Sequence, residues 1–164
     1  MRLARIVSLL SLVCVAAGSH AADPVYLDQL METPLATLQQ QFPGLRREGC
    51  YAVGDGRFLL ITMDKKDGKP WRVALSGTEP CRKPETGPAI EVRHRQGVQL
   101  GDTTIMVVEK LGRPDASAAP DTSLKRLGDM EYFYVCRLTE GCARHTSVFM
   151  RDGAVSAVAE WYSD

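Results

Sequence analysis

From about residue 31 onward, apolar and polar positions follow two rhythms, and each rhythm occurs twice. The first is helical. In Thr33-Pro34-Leu35-Ala36-Thr37-Leu38-Gln39-Gln40-Gln41-Phe42-Pro43, the apolar Leu35, Leu38 and Phe42 share one face, Thr33 can cap, Pro34 suits the first turn and Pro43 stops the run. The stretch from Gly97 to Pro114 repeats that plan, with Thr103 as cap, Ile105, Val108 and Leu111 as the expected buried stripe, and Gly112 with Pro114 as the stop.

The second rhythm is that of strands. Cys50 to Val53, Phe58 to Met63 and Trp71 to Leu75 follow the first helix; Tyr132 to Leu138, Arg144 to Met150 and Ala154 to Tyr162 follow the second. These runs are aromatic and β-branched, and Asp67-Gly68, Thr139-Glu140-Gly141 and Arg151-Asp152-Gly153 supply turns between them, which predicts antiparallel meanders. The expected fold is α+β: two tandem units, about 31–77 and 98–162, each with a helix on one face of an antiparallel sheet of three to four strands. A loop near 78–88 joins them, Ala89 to Arg95 can add a strand, and Pro114 to Asp129 reads as a mobile loop.

Strand alternation then assigns faces. Leu59, Ile61, Met63, Trp71, Val73 and Leu75 fall on the helix-covered side, as do Tyr132, Tyr134, Cys136, Val148, Met150, Val155, Ala157, Ala159 and Trp161. The opposite side receives Phe58, Leu60 and Arg72 from the first unit and Phe133, Arg137, His145, Phe149, Arg151, Glu160 and Tyr162 from the second. A sheet face that mixes aromatics with arginines has the composition of a protein-binding patch. Replacing Phe149 or Tyr162 by Ala is accordingly expected to weaken binding by about 2 kcal/mol.

The N-terminus changes the setting. MRLARIVSLLSLVCVAAGSHA has two arginines, an apolar run from Ile6 to Ala17 and small residues at Ser19 and Ala21, which predicts a secretory signal peptide over residues 1–21, cleaved from a mature domain of 22–164 in a bacterial periplasm. Cys14 lies where a lipoprotein would carry its acylated cysteine, but Val13 is too large for that site, so no stable membrane anchor is expected. Cleavage removes Arg2 and Arg5, leaving 18 basic against 20 acidic side chains, a balance that provides no field for nucleic acid or anionic lipid. Four cysteines remain, and three pairings are open. Cys50 with Cys81 and Cys136 with Cys142 is favoured, because each bridge then stays within one half of the chain. No Cys-x-x-Cys spacing points to redox chemistry.

Candidate catalytic chemistry is sparse. The Gly-Asp-Thr stretch before the second helix lacks the ending of a phosphate-binding loop and the spaced glycines of a dinucleotide fingerprint, so it reads as a capped helix start. His94 and His145 have no second ligand at metal spacing and read as surface strand residues. Ser147, Ser156 and Ser163 lack a nucleophile elbow, and the acidic pairs Asp64 with Asp67 and Asp152 with Glu160 sit at turns or strand ends. The expectation is a protein without catalytic residues, metal or cofactor.

Val98-Gln99-Leu100-Gly101-Asp102-Thr103, followed by Val107 or Val108, Leu111-Gly112 and Pro114, resembles the hydrophobic-x-x-Gly-x-Thr/Ser, Val, Leu-Gly-x-Pro signature of the BamE (SmpA) family of small envelope proteins. A tandem of helix-plus-sheet units, each with its own disulfide, is similar to the β-lactamase inhibitory protein. The signature covers about eighteen residues; the first unit matches by pattern at Thr33, Leu38 and Phe42-Pro43. Met106 stands where the family often has the acid of a capping box, and the lipid-bearing cysteine of the assembly lipoproteins is missing. The resemblance implies a partner protein: an envelope enzyme met by an inhibitor or immunity-like protein, or a component of outer-membrane assembly. A small periplasmic hydrolase is the third reading.

Overall fold

The structure is a computed structural model, and it describes residues 23–135 and 144–163. The expected signal peptide, the Thr139-Glu140-Gly141 turn, Arg137 and the Cys136–Cys142 pair lie outside those residues.

In chain order, a two-residue strand β1 (Val25–Tyr26) leads into two short helices, α1 (Leu27–Glu32) and α2 (Leu35–Gln41). A meander of β2 (Glu48–Gly54), β3 (Arg57–Met63) and β4 (Pro70–Ser76) follows, then β5 (Glu85–Thr86) and β6 (Val92–Arg93). Next come α3 (Thr104–Leu111), a short β7 (Ala116–Ala118), and a second meander of β8 (Met130–Val135), β9 (Arg144–Arg151) and β10 (Ala154–Tyr162). Asp55-Gly56 and Asp152-Gly153 all have positive φ, 50° and 67° in the first pair and 51° and 79° in the second. This is the geometry of a tight hairpin turn that matches the twist of its strands.

Both meanders lie in one mostly antiparallel sheet of eight strands, ordered β5-β2-β3-β4-β10-β9-β8-β7. They meet at a seam between β4 and β10, where Ala74 faces Ala159 and Leu75 faces Val158. Only β5 runs parallel to its neighbour, β2, while β1 and β6 form a separate parallel pair. The fold is therefore mixed α+β, with a large sheet and few short helices.

The main core lies between helices and sheet. Leu30 and Met31 of α1, Leu38 of α2 and the following Phe42 are buried with Leu59, Ile61, Val73, Val148 and Val158. Each such side chain contributes roughly 1.5–3 kcal/mol through removal from water. Phe42 also meets the Tyr51 ring at 4.9 Å between centroids.

Helix boundaries shift in two places. Pro34 rather than Thr33 occupies the N-cap of α2, because Thr33 closes α1 and its hydroxyl donates to the Gln29 carbonyl at 2.8 Å. In α3, Thr103 does cap, accepting from the Met106 amide, but the buried position is Val107, and Ile105 is 71% exposed. Leu111 of the expected stripe packs against the core, and Asp102 fixes the helix start: its buried carboxylate accepts from the Gln99 amide at 2.7 Å and from Lys110 Nζ at 2.5 Å. Thr103 also bridges to Ala154 at the start of β10, and the Gly101 amide donates to the Val155 carbonyl at 2.8 Å.

Cys50 and Cys81 form a disulfide, with Cα atoms 6.5 Å apart and a sequence separation of 31. A loop of that length contributes about 3–4 kcal/mol by restricting the unfolded chain. Cys50 lies opposite Leu60, on the face away from the helices, so the bridge ties the connector after β4 onto that face. Among the described residues no helix is long and apolar enough to cross a membrane.

Candidate functional site

Two one-residue bulges decide what the helix-free face presents. Thr62 pairs with Arg72 but Met63 pairs with Pro70, which leaves Trp71 as the extra residue of β4. Val155 pairs with Met150 but Ala157 pairs with Phe149, which leaves Ser156 as the extra residue of β10. A bulge reverses the faces of the residues beyond it. Trp71 is thereby turned out of the core to stand beside Arg72, and Ala157, Ala159 and Trp161 leave the helix side for the opposite one. Both tryptophans of the chain are delivered to one surface.

There they form a groove of about 430 Å³ that crosses the second meander. Phe133, Phe149, Ala159 and Trp161 make its apolar floor, Trp71 and Arg72 one wall, and β7 with Asp121 to Leu124 the other. Phe133, His145 and Trp161 pack as a trio, with centroids 4.9–5.4 Å apart. The Trp161 indole donates to Ser147 Oγ at 2.9 Å, and Ser147 in turn donates to Glu131 Oε1 at 2.6 Å, so the ring orientation is set by a hydrogen-bonded chain. The Arg72 guanidinium stacks over Trp71 at 4.8 Å from the ring centroid. Its burial lowers its pKa, against the pull of Glu48 and Glu131, and no hydrogen bond or ion pair ties it to another described residue. An aromatic surface with a half-buried, ring-stacked guanidinium can accept a flat or apolar group and direct donors at its oxygen atoms.

The middle of this face is covered by the chain itself. Pro114 to Asp129, expected as a mobile loop, lays Leu124 and Leu127 over Leu60, Ala74, Phe149, Ala157 and Ala159 as a second small core. The Ser156 hydroxyl donates to the Leu127 carbonyl at 2.5 Å, so the bulge residue also holds the loop. Gly128 is required by contact: a Cβ there would stand 2.8 Å from the Met150 carbonyl oxygen and 2.9 Å from Phe149 Cβ.

The residues expected to line an open face therefore separate. Arg72 and Phe133 line the groove, His145 packs beside it, and Phe58 shares the face farther along the sheet. Phe149 lies on the expected face but is 1% exposed beneath the loop. Arg151 is engaged in holding that loop, donating to the Lys125 and Arg126 carbonyls at 3.2 Å. Glu160 and Tyr162 fall on the helix side, because the Ser156 bulge exchanges the faces of the strand end. The Tyr162 hydroxyl donates to Glu32 of α1, and burial pushes its pKa up to about 12 with help from that carboxylate. Trp71, Ala159 and Trp161 are groove residues that unbroken alternation puts on the helix side, and Glu131 was missed because β8 begins before the expected Tyr132.

His94, expected at the surface, is buried, with Nε2 2.9 Å from Glu160 Oε1. The same oxygen accepts from Thr146 Oγ1 at 2.9 Å, and Arg144 Nε lies 3.6 Å from Oε2. This cluster provides a carboxylate that orients an imidazole; no serine, threonine or cysteine among the described residues bonds to the ring.

No protein-family model matches the chain, and neither a curated protein nor a solved structure matches it.

Proposed function

We propose that this chain is an exported, non-enzymatic protein-binding module, an inhibitor or immunity-like partner of a bacterial envelope enzyme. The observation that carries the reading is the tryptophan-walled groove, with Arg72 and Glu131 in its lining. Trp and Arg in a preformed recess are the residue types that dominate binding energy at protein interfaces, and the Trp161–Ser147–Glu131 chain lowers the cost of ordering Trp161. The succession of helical segment and meander, twice over, together with the Leu-Gly-x-Pro signature, supports a tandem arrangement similar to the β-lactamase inhibitory protein. Periplasmic residence follows from the leader read at residues 1–21, and the Cys50–Cys81 disulfide is compatible with it.

The test is affinity capture from bacterial envelope extract, with wild-type protein beside Trp161→Ala and Arg72→Ala. A specific partner should lose about 2 kcal/mol of binding, near thirtyfold, in either variant. Ile105→Ser, on the exposed side of α3, should retain the partner as the wild type does. Equal retention by all three variants refutes the groove as the binding surface.

A further inference from the structure

The opposite side of the sheet holds a second recess, distinct from the groove, of about 410 Å³. It lies between Arg57 at the start of β3 and the chain from Glu91 to Leu100. Arg57, Arg93, Arg95 and His94 border it together with Tyr26, and Glu91 is the one carboxylate in its lining. Each arginine has a single acidic neighbour: Arg57 pairs with Asp55, Arg93 with Glu91 and Arg95 with Asp28. A guanidinium has five N–H donors, so most remain for another acceptor.

Two polar atoms of this lining are buried without a hydrogen-bond partner, Arg57 Nε and His94 Nδ1. The His94 side chain is fully buried, and its other nitrogen is engaged by Glu160. Glu160 accepts from Nε2, which leaves Nδ1 as the acceptor position of the imidazole and Arg57 Nε as the buried donor of this lining without a bonded acceptor. A buried donor without an acceptor is costly, and a site that leaves Arg57 Nε so within a ring of guanidinium groups is suited to an oxyanion.

We propose that this recess binds a small organic molecule through one carboxylate or phosphoryl group, with Arg57 Nε–H as the inner donor and Arg93 and Arg95 at the rim. Leu75, Val98 and Leu100 then receive the ligand's apolar part.

The test is titration of the purified, oxidised full-length protein with inorganic phosphate and, separately, with citrate, followed by the Arg Nε–H signals in proton–nitrogen spectra and by the thermal midpoint. A saturable shift of the Arg57 signal and a rise in the midpoint are expected with at least one probe; phosphate alone marks a phosphoryl site and citrate alone a carboxylate site. Binding should weaken at least tenfold in Arg57→Gln. If that variant does not fold, Arg93→Gln at the exposed rim should still weaken binding severalfold. The proposal is overturned if sodium chloride at matched ionic strength or glycerol produces the same shift, if neither probe saturates, or if the folded variants bind as the wild type does.

Discussion

Replacing Phe149 by Ala should destabilise the fold rather than only release a partner. The side chain is 1% exposed and is enclosed by Leu127 above and by Ala74, Ala157 and Ala159 beside it. Those alanines are too short to move into the space, so the cavity persists. Phe-to-Ala changes in such settings cost about 3–5 kcal/mol. For a domain of this length, each kcal/mol lowers the thermal midpoint by roughly 3 °C, so a fall of roughly 10–15 °C is expected. Urea unfolding of the oxidised protein, followed by tryptophan fluorescence, gives the free energy directly. Gly128→Ala probes the same contact from the loop side: its Cβ would meet Phe149 Cβ at 2.9 Å, and lifting the loop should cost about 1–3 kcal/mol. A loss below about 1 kcal/mol for Phe149→Ala would mean that the loop does not seat on the sheet and that Phe149 is free to act as a contact residue.

Two further outcomes are expected. Glu160→Leu removes the acceptor of both His94 and Thr146 in the interior and should cost about 3 kcal/mol in the same urea assay, whereas Glu160→Gln, which keeps an acceptor oxygen, should cost less. Tyr162 has its pKa raised to about 12 in the folded protein, so its contribution to stability is present below pH 10 and lost as pH rises toward 12; unfolding curves of Tyr162→Phe should lack that part of the alkaline decline.

Strand and helix positions were legible because their periodicity is strong: Phe58 to Met63 alternates, and Leu38 with Phe42 recurs at helical spacing. The six long strands fall where alternation and the Asp-Gly turns put them. Face assignments failed in β10 beyond Ser156, where one inserted residue reverses every later side chain, and in β4 at Trp71 alone, since Arg72, Val73 and Leu75 lie on the faces expected of them. Ser156 left a trace, because Val155 and Val158, three apart, are both buried on the helix side, which unbroken alternation forbids. Leu27, Leu30 and Met31 had the helical spacing of α1, and Leu124 with Leu127 gave the covering loop its apolar anchors. The His94–Glu160 contact, 66 positions apart, has no counterpart in local pattern and arises only from assembly of the sheet.

The seam between β4 and β10 also governs how the molecule is made. Ser76 and Ser156 meet across 80 positions, a closure that costs about 4 kcal/mol in chain entropy before any contact repays it. During synthesis the first meander must wait with β4 as a bare border until the final strand arrives. A second copy's final strand can dock there equally well, so refolding at high concentration is expected to yield strand-exchanged dimers, and dilution to yield monomers.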